Sequence, residues 1–223
     1  MLKALIFDFD GLILDTETPE FEAWQAIYRE HDTELSIHAW GQFVGGNGAS
    51  DFDPVRHLEK LTGRNLDDPA LRRQANARAM ERILSQPVLP GVVDWLDSAR
   101  SNRIPLAVAS SSPHSWVDPH LSRLGLAGRF DEIVCADDVP RTKPAPDLFL
   151  ESLRRLQVRH DEAAVFEDSP NGVRAARAAG LFVVAIPNPI TRQLGDSGAD
   201  ITLASLVELS LTSLMKKLYN QVV

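Results

Sequence analysis

The sequence predicts an α/β fold, a doubly wound parallel sheet with an inserted α-helical cap domain. Short apolar segments at residues 2–7, and again from about residue 104, alternate with helix-forming segments. This is the pattern of a parallel sheet that is covered by helices on both faces. Residues 16–86 contain helix-forming segments and no strand candidate. We therefore expect an α/β core made of residues 1–15 and 87–223, interrupted by a helical cap at residues 16–86.

The composition excludes several classes of function. The formal net charge is −8, whereas non-specific nucleic-acid binding requires a basic surface. The single cysteine, Cys135, excludes an intramolecular disulfide, and its apolar surroundings predict a buried thiol. The apolar segment at residues 181–186 is far shorter than the roughly 20 residues of a membrane span. We expect a cytoplasmic protein without nucleic-acid or membrane partners, either a monomer or a weak homodimer.

The first predicted strand ends in a pair of acidic residues. Residues 2–7 are almost wholly apolar, as in a strand that is buried on both faces of a parallel sheet. Asp8 follows directly, and Asp10 lies two residues further on, before a glycine at which the chain can turn. Open α/β sheets bind ligands beyond the carboxyl ends of their strands. The two carboxylates are either a metal site with a nucleophile or a solvated acidic turn, depending on what other strands bring to this edge.

The predicted helical block begins at Thr16. Thr18 and Pro19 are typical of a helix start, a capping hydroxyl followed by proline at the first helical position. Further helices are expected at about residues 36–44, 49–61 and 67–86. The glycine-rich segment at residues 44–50 is expected to lie over the edge of the sheet that carries the two acids.

Strands alternate with helices in the rest of the chain. They are expected at residues 104–109, 132–136, 163–166 and 181–186, with a short strand near 199–201 and a helix from about residue 205. Ser169 and Pro170 predict the start of the helix after the third of these strands. Since the strands are parallel, their carboxyl ends meet at the edge where Asp8 and Asp10 lie.

Polar residues follow several strands at that edge. Ser110 and Ser111 offer hydroxyl and backbone N–H groups before a helix, an arrangement that can hold phosphate. Lys143 offers a cation from a proline-containing loop, and Glu167 and Asp168 offer further carboxylates. Mg²⁺ with oxygen ligands suits such a cluster. Taken singly, each residue also fits a structural role as a helix cap, a surface lysine or a turn acid. Their joint placement favours a phosphate and metal site.

Four motifs occur in order along nearly the whole chain. They are Asp8-Phe9-Asp10-Gly11-Leu12-Ile13-Leu14-Asp15-Thr16-Glu17, Ser110, Lys143-Pro144-Ala145-Pro146-Asp147 and Phe166-Glu167-Asp168-Ser169-Pro170-Asn171-Gly172. In these motifs the sequence resembles the haloacid dehalogenase superfamily of phosphohydrolases. The resemblance is to the branch with a helical cap after the first strand, which includes β-phosphoglucomutase. It implies a Rossmann-like core and phosphoryl-transfer chemistry.

The resemblance also implies roles for individual residues. Asp8 is expected to be the nucleophile that takes the phosphoryl group as an aspartyl phosphate, and Asp10 to be the general acid and base. The expected phosphate-binding residues are Ser110, Ser111 and Lys143. The expected ligands of Mg²⁺ are Asp8, Asp10 through its backbone carbonyl, Asp168, and Glu167 in or just behind the coordination shell.

The cap is expected to select the substrate. The residues expected to contact the substrate or the cap are Thr16, Glu20, Gly46 and Asn47. In proteins like β-phosphoglucomutase an arginine in this region binds the second phosphate of the sugar, whereas this sequence has no lysine or arginine between Arg29 and Arg56. Glu20 stands in place of a mutase histidine. The basic residues that could substitute from another helix are Lys60, Arg72, Arg73 and Arg78.

These observations predict a Mg²⁺-dependent phosphatase that hydrolyses a small phosphorylated metabolite, such as a sugar or polyol phosphate. A phosphosugar mutase is the first alternative. The second is a phospho-accepting signalling or interaction module with a long-lived aspartyl phosphate. Asp10 argues against that module, because an acid/base at this position shortens the life of the intermediate.

Overall fold

The computed structural model describes residues 2–41, 52–195 and 198–220. The strands are β1 (Ala4–Phe7), β2 (Leu106–Ala109), β3 (Glu132–Val134), β4 (Ala163–Glu167), β5 (Phe182–Ala185) and β6 (Ile201–Thr202). The α-helices are α1 (Glu17–Glu30), α2 (Ile37–Gly41), α3 (Pro54–Thr62), α4 (Asp68–Ser85), α5 (Val92–Ser101), α6 (His114–Arg123), α7 (Asp147–Leu156), α8 (Pro170–Ala178) and α9 (Leu211–Asn220). Within these ranges no helix has both the length and the apolar composition needed to cross a membrane.

The strands form a six-stranded sheet in the order β3-β2-β1-β4-β5-β6, and each neighbouring pair is parallel. On the central strand β1, Leu5 and Phe7 belong to one hydrophobic cluster, whereas Ala4 and Ile6 belong to another. All four residues are 0% exposed. Since successive side chains of a strand point to opposite faces, both faces of the sheet are buried. The predicted doubly wound parallel sheet is confirmed.

The strand order places a topological switch point beside β1. The chain continues from β1 to β2 and β3 on one side of the sheet, and β4 lies on the other side. Phe7 is in register with Val108 of β2 and with Phe166 of β4. The residues that follow these three strands therefore arrive at one edge, beside the switch point at which open α/β sheets bind ligands.

Helices α1–α4, here called the cap helices, lie between β1 and α5. The described residues of this interval contain no strand, and α1 packs against α4. Apolar side chains of these helices form a cluster that includes Phe21, Trp24, Ile27, Tyr28 and Trp40. This separate cluster supports a distinct helical cap, whose boundaries at residues 16 and 86 stay a prediction.

Two predicted helix starts are wrong. Helix α1 begins at Glu17 rather than at Pro19, and its N-cap is Thr16 rather than Thr18. The reason is that Asp15 Oδ1 accepts a hydrogen bond from the backbone N–H of Thr18 (3.1 Å), so the capping acceptor lies further upstream. The C-terminal helix begins at Leu211. Ser205, predicted near its start, instead caps a short 3₁₀ turn that precedes it.

Part of the hydrophobic cluster of the cap comes from the core. Ile190 lies in the segment after β5, yet it is 4% exposed and packs in the cluster of the cap helices. Leu194 packs against the same cluster, and α2 contacts the 3₁₀ helix Thr191–Leu194. The segment after β5 therefore ties the cap helices to the sheet.

We expect Ile190→Ala to lower the free energy of unfolding by about 2–5 kcal/mol, the usual cost of truncating a large buried aliphatic side chain. Urea unfolding followed by circular dichroism measures this change. Val207→Ala is the control, because Val207 is 64% exposed, and it should change the free energy of unfolding by less than about 0.5 kcal/mol. Equal stability of the two variants would show that Ile190 does not anchor the cap.

Candidate active site

A buried lysine joins the ends of β1 and β4. Lys143 Nζ forms one ion pair with Asp8 Oδ1 and another with Glu167 Oε1 (2.7 Å). The side chains of Lys143, Asp8 and Glu167 are 3%, 8% and 0% exposed. Asp8 directly follows β1 and Glu167 ends β4, so two neighbouring strands deliver carboxylates to one ammonium. Lys143 comes from the loop before α7, where its peptide bond to Pro144 is cis.

Burial and neighbouring charges determine the protonation of Asp8 and Lys143. Burial raises the pKa of Asp8 to about 8, while the Lys143 ammonium acts to lower that pKa and the Glu167 carboxylate acts to raise it. For Lys143, burial acts to lower the pKa, but the charges of Asp8 and Glu167 outweigh burial and raise it. The ammonium therefore stays charged, and its single positive charge does not balance the carboxylates around it.

Both oxygens of Glu167 have fixed partners. Oε2 accepts hydrogen bonds from the backbone N–H groups of Asp168 (2.9 Å) and Ser169 (3.0 Å) and from the Ser169 hydroxyl (3.1 Å). Oε1 faces Lys143. The carboxylate lies against Gly172 of α8, where a Cβ atom would overlap it. Ser169 Oγ also accepts from the Gly172 N–H (3.1 Å), which confirms the helix start predicted there.

Three carboxylates form a candidate metal site. Oxygens of Asp8, Glu167 and Asp168 lie within 4.8 Å of one another, and all three residues are buried. Burial raises the pKa of Asp168 well above its usual value, and the charges of Glu17 and Glu167 raise it further. Buried carboxylate oxygens at this separation fit a hard divalent cation such as Mg²⁺, which prefers oxygen ligands. The side chain of Asp10 is not one of this group.

Asp10 instead accepts hydrogen bonds from four side chains. Oδ1 accepts from Trp116 Nε1 (2.8 Å) and from Thr16 Oγ1 (3.0 Å). Oδ2 accepts from Ser112 Oγ (2.7 Å) and, at a longer distance, from Ser110 Oγ (3.4 Å). The donors come from the start of the cap, the loop after β2 and helix α6, so the Asp10 carboxylate joins three parts of the chain.

The loop after β2 carries the predicted phosphate-binding serines. Ser110 is 0% exposed, and its hydroxyl accepts from the backbone N–H of Ser112 (3.0 Å). Ser111 lies between them and is half-buried. His114, the first residue of α6, is hydrogen-bonded through Nε2 to Asp138 (2.8 Å). These contacts fasten the loop at the edge where Asp8 and Asp10 lie.

Two acidic residues of α1 lie on the cap side of the site, and the pKa of each is raised. Burial, together with the charge of Asp10, raises the pKa of Glu20 to about 7. Burial also raises the pKa of Glu17, whose Oε2 accepts a hydrogen bond from Asn188 Nδ2 (2.8 Å). The same Nδ2 donates to Asp168 Oδ2 (2.6 Å). Asn188 thus links a candidate metal ligand to the start of α1.

Sequence reasoning missed three residues of this site: Trp116, Asn188 and Glu17. The position of Asn188 was a signal that could have identified it, because it lies shortly after the carboxyl end of β5. Other residues of the site also lie shortly after the carboxyl ends of strands. Trp116 carries no such signal, because a helical tryptophan is equally expected in a hydrophobic core. Of the predicted cap contacts, Gly46 and Asn47 fall outside the described residues.

The sequence model of one family matches residues 5–186, which is more than half of the chain. The chain belongs to the haloacid dehalogenase-like hydrolases. This finding confirms the family that the four motifs resemble, and it accounts for a six-stranded parallel sheet with a cluster of acids at the carboxyl ends of its strands.

Relatives of this hydrolase cover most of the chain. The YhcW protein of Bacillus subtilis (strain 168) is 41% identical over 221 residues, 99% of this chain and 100% of the relative. The fructose-1-phosphate phosphatase YqaB of Escherichia coli (strain K12) is 35% identical over 182 residues, 82% of this chain and 95% of that protein. A variant of CbbY from Rhodobacter sphaeroides, crystallised with xylulose-(1,5)bisphosphate, is 26% identical with a TM-score of 0.71; 96% of this chain and 99% of CbbY are covered.

We expect Gly172→Ala to lower both the stability and the activity of this hydrolase, because the new methyl group overlaps the Glu167 carboxylate that pairs with Lys143. Overpacking at a buried site costs about 1–3 kcal/mol. A displacement of the ammonium should lower kcat by about tenfold or more. Urea unfolding and initial rates with p-nitrophenyl phosphate measure the two effects.

Gly125→Ala is the matched control for this variant. Gly125 has a φ of +70° and open space around its Cα, so alanine there strains only the backbone. It should cost about 1–2 kcal/mol of stability, the usual cost of the left-handed conformation for a residue with a Cβ atom, and leave kcat unchanged. If Gly172→Ala also leaves kcat unchanged, the position of Glu167 does not matter for activity.

Proposed function

We propose that this hydrolase is a Mg²⁺-dependent phosphatase. Its substrate is a small phosphorylated metabolite, a sugar or polyol monophosphate, and it acts through an aspartyl phosphate on Asp8. The observation that carries the proposal is the buried ion pair between Asp8 and Lys143 at the carboxyl end of β1. An ammonium at this place orients the carboxylate and faces the phosphoryl oxygens, on which charge is spread in the transition state.

The donor set fits a divalent cation. Asp8 and Asp168 would hold it with their side chains and Asp10 with its backbone carbonyl, and Glu167 would lie in or just behind the coordination shell. When bound, Mg²⁺ supplies positive charge that neutralises carboxylates and stabilises the phosphoryl oxygens. The support from this chain is the group of three buried carboxylates, with one buried ammonium beside it.

The reaction runs in two displacements. An oxygen of Asp8 bonds to phosphorus while the bond to the substrate oxygen breaks, and Asp10 gives its proton to the departing alkoxide. Water then attacks the phosphoryl group, Asp10 takes a proton from that water, and inorganic phosphate leaves with Asp8 restored. Lys143, Ser110 and Ser111 hold the phosphoryl oxygens through N–H and O–H donors.

The carboxyl groups on the cap side of Asp10 favour a substrate with a single phosphate. Glu17 and Glu20 are close enough to the Asp10 charge for it to raise their pKa values. A second phosphate in this region would find carboxyl groups that offer it no positive charge, whereas sugar or polyol hydroxyl groups can form hydrogen bonds with a carboxyl group whether or not it carries a proton. The E. coli relative is named for fructose 1-phosphate, which has one phosphate.

A mutase would need a further cation for the second phosphate. Among the basic residues that could supply it, Arg72 is paired with Asp53 (2.6 Å) and Arg78 is paired with an acid of α1 (2.6 Å). Lys60 and Arg73 are exposed. These positions favour hydrolysis over transfer of phosphate between two ends of a sugar.

Release of phosphate from p-nitrophenyl phosphate tests the proposal. We expect activity with Mg²⁺, its loss with EDTA and its return when Mg²⁺ is restored. Asp8→Asn keeps the size of the side chain and removes the nucleophile, so the rate should fall by at least about 10³-fold. A stably phosphorylated protein that releases no phosphate would contradict a phosphatase and indicate the signalling module.

The same assay on metabolites separates the substrate classes. Sugar and polyol monophosphates, fructose 1-phosphate among them, should give kcat/KM values at least about tenfold above those of the matching bisphosphates, which corresponds to a difference of about 1.4 kcal/mol in transition-state stabilisation. Conversion of β-glucose 1-phosphate to the 6-phosphate in the presence of the bisphosphate would instead identify a mutase.

A further inference from the structure

We infer that Trp116 is a positioning residue for Asp10, whose indole N–H determines which carboxyl oxygen carries the transferred proton. The inference rests on the proposed function, in which Asp10 is the general acid and base. Trp116 lies in the first turn of α6, and its Nε1 donates to Asp10 Oδ1 (2.8 Å). This bond joins the helix after β2 to the turn after β1.

The indole differs in kind from the other donors to Asp10. The hydroxyls of Thr16, Ser110 and Ser112 can donate or accept, so they suit a carboxyl oxygen with or without a proton. An indole nitrogen only donates, so its best partner is an oxygen that carries no proton. The proton of the acid form therefore belongs on Oδ2, the oxygen beside Ser112 Oγ (2.7 Å).

The packing of the indole keeps this donor in place. Its ring meets His120 edge-on, with 4.4 Å between centroids and 63° between planes. His120 is 4% exposed, and its ring centroid lies 6.3 Å from that of Phe9. Since Phe9 immediately precedes Asp10, α6 contacts this turn through both a pair of aromatic rings and a hydrogen bond. A donor held in this way needs no reorganisation during the reaction.

The position of the proton matters only when the leaving group needs one. The alkoxide that leaves a sugar or polyol phosphate is strongly basic and depends on a general acid, whereas p-nitrophenolate departs without one. For both substrates kcat/KM covers the steps up to release of the leaving group. Loss of the indole N–H should therefore lower kcat/KM for the alkyl phosphate far more than for the aryl phosphate.

Trp116→Phe keeps an aromatic ring against His120 and removes the N–H. For the sugar or polyol monophosphate that the wild-type protein hydrolyses fastest, we expect kcat/KM to fall about 10- to 100-fold, part of what a general acid contributes. For p-nitrophenyl phosphate the fall should be less than about threefold. Trp95→Phe is the matched control, because it removes an indole N–H that donates to the Leu206 carbonyl (3.0 Å) in the core. It should affect the two substrates equally.

The outcomes separate the two proposals. An equal loss on both substrates in Trp116→Phe, or no loss on either, would show that Trp116 only packs, and would overturn the inference while leaving the phosphatase intact. If the wild-type protein with Mg²⁺ hydrolyses neither substrate, the proposed function falls and the inference falls with it.

Discussion

The site depends on the ammonium of Lys143 between the carboxylates of Asp8 and Glu167. Removing one partner of a buried pair typically costs about 3–5 kcal/mol, because an uncompensated charge remains. Three features of the fold must coincide to form this contact. Strands β1 and β4 are neighbours, the loop before α7 reaches beneath their ends, and α8 has a glycine, Gly172, where the Glu167 carboxylate lies. The contact is therefore a property of the whole sheet edge.

The same edge gives two acids of one short motif different surroundings. Between them and the cap the chain turns at Gly11, which has a φ of +82° and where a Cβ atom would meet the Asp168 carboxylate. Asp8 remains with the buried acids and Lys143, whereas Asp10 turns to the hydroxyls and the indole that donate to it. Because of this separation, one carboxylate can carry the phosphoryl group and the other can donate and accept the proton in the proposed reaction.

Sequence reasoning was most successful where a parallel sheet makes the placement of residues obligatory. The residue that directly follows a strand lies at the carboxyl edge of the sheet, regardless of the conformation of the loop after it. The placement of Asp8, Ser110 and Asp168 could therefore be predicted from strand ends alone. Trp116 could not be predicted in this way, because it reaches the site through packing between elements that are distant in sequence. Its contact with Asp10 depends on how α6 docks, which no local pattern encodes.

The proposed role of Asp8 can be tested by trapping the intermediate. The protein would be mixed with Mg²⁺ and a radiolabelled phosphate monoester, quenched in acid within milliseconds and digested, and the labelled peptide would be mapped by mass spectrometry. The account predicts one labelled site, Asp8, whose label is released by hydroxylamine, as expected for an acyl phosphate. Label on another residue, or turnover without any labelled protein before the steady state, would contradict it.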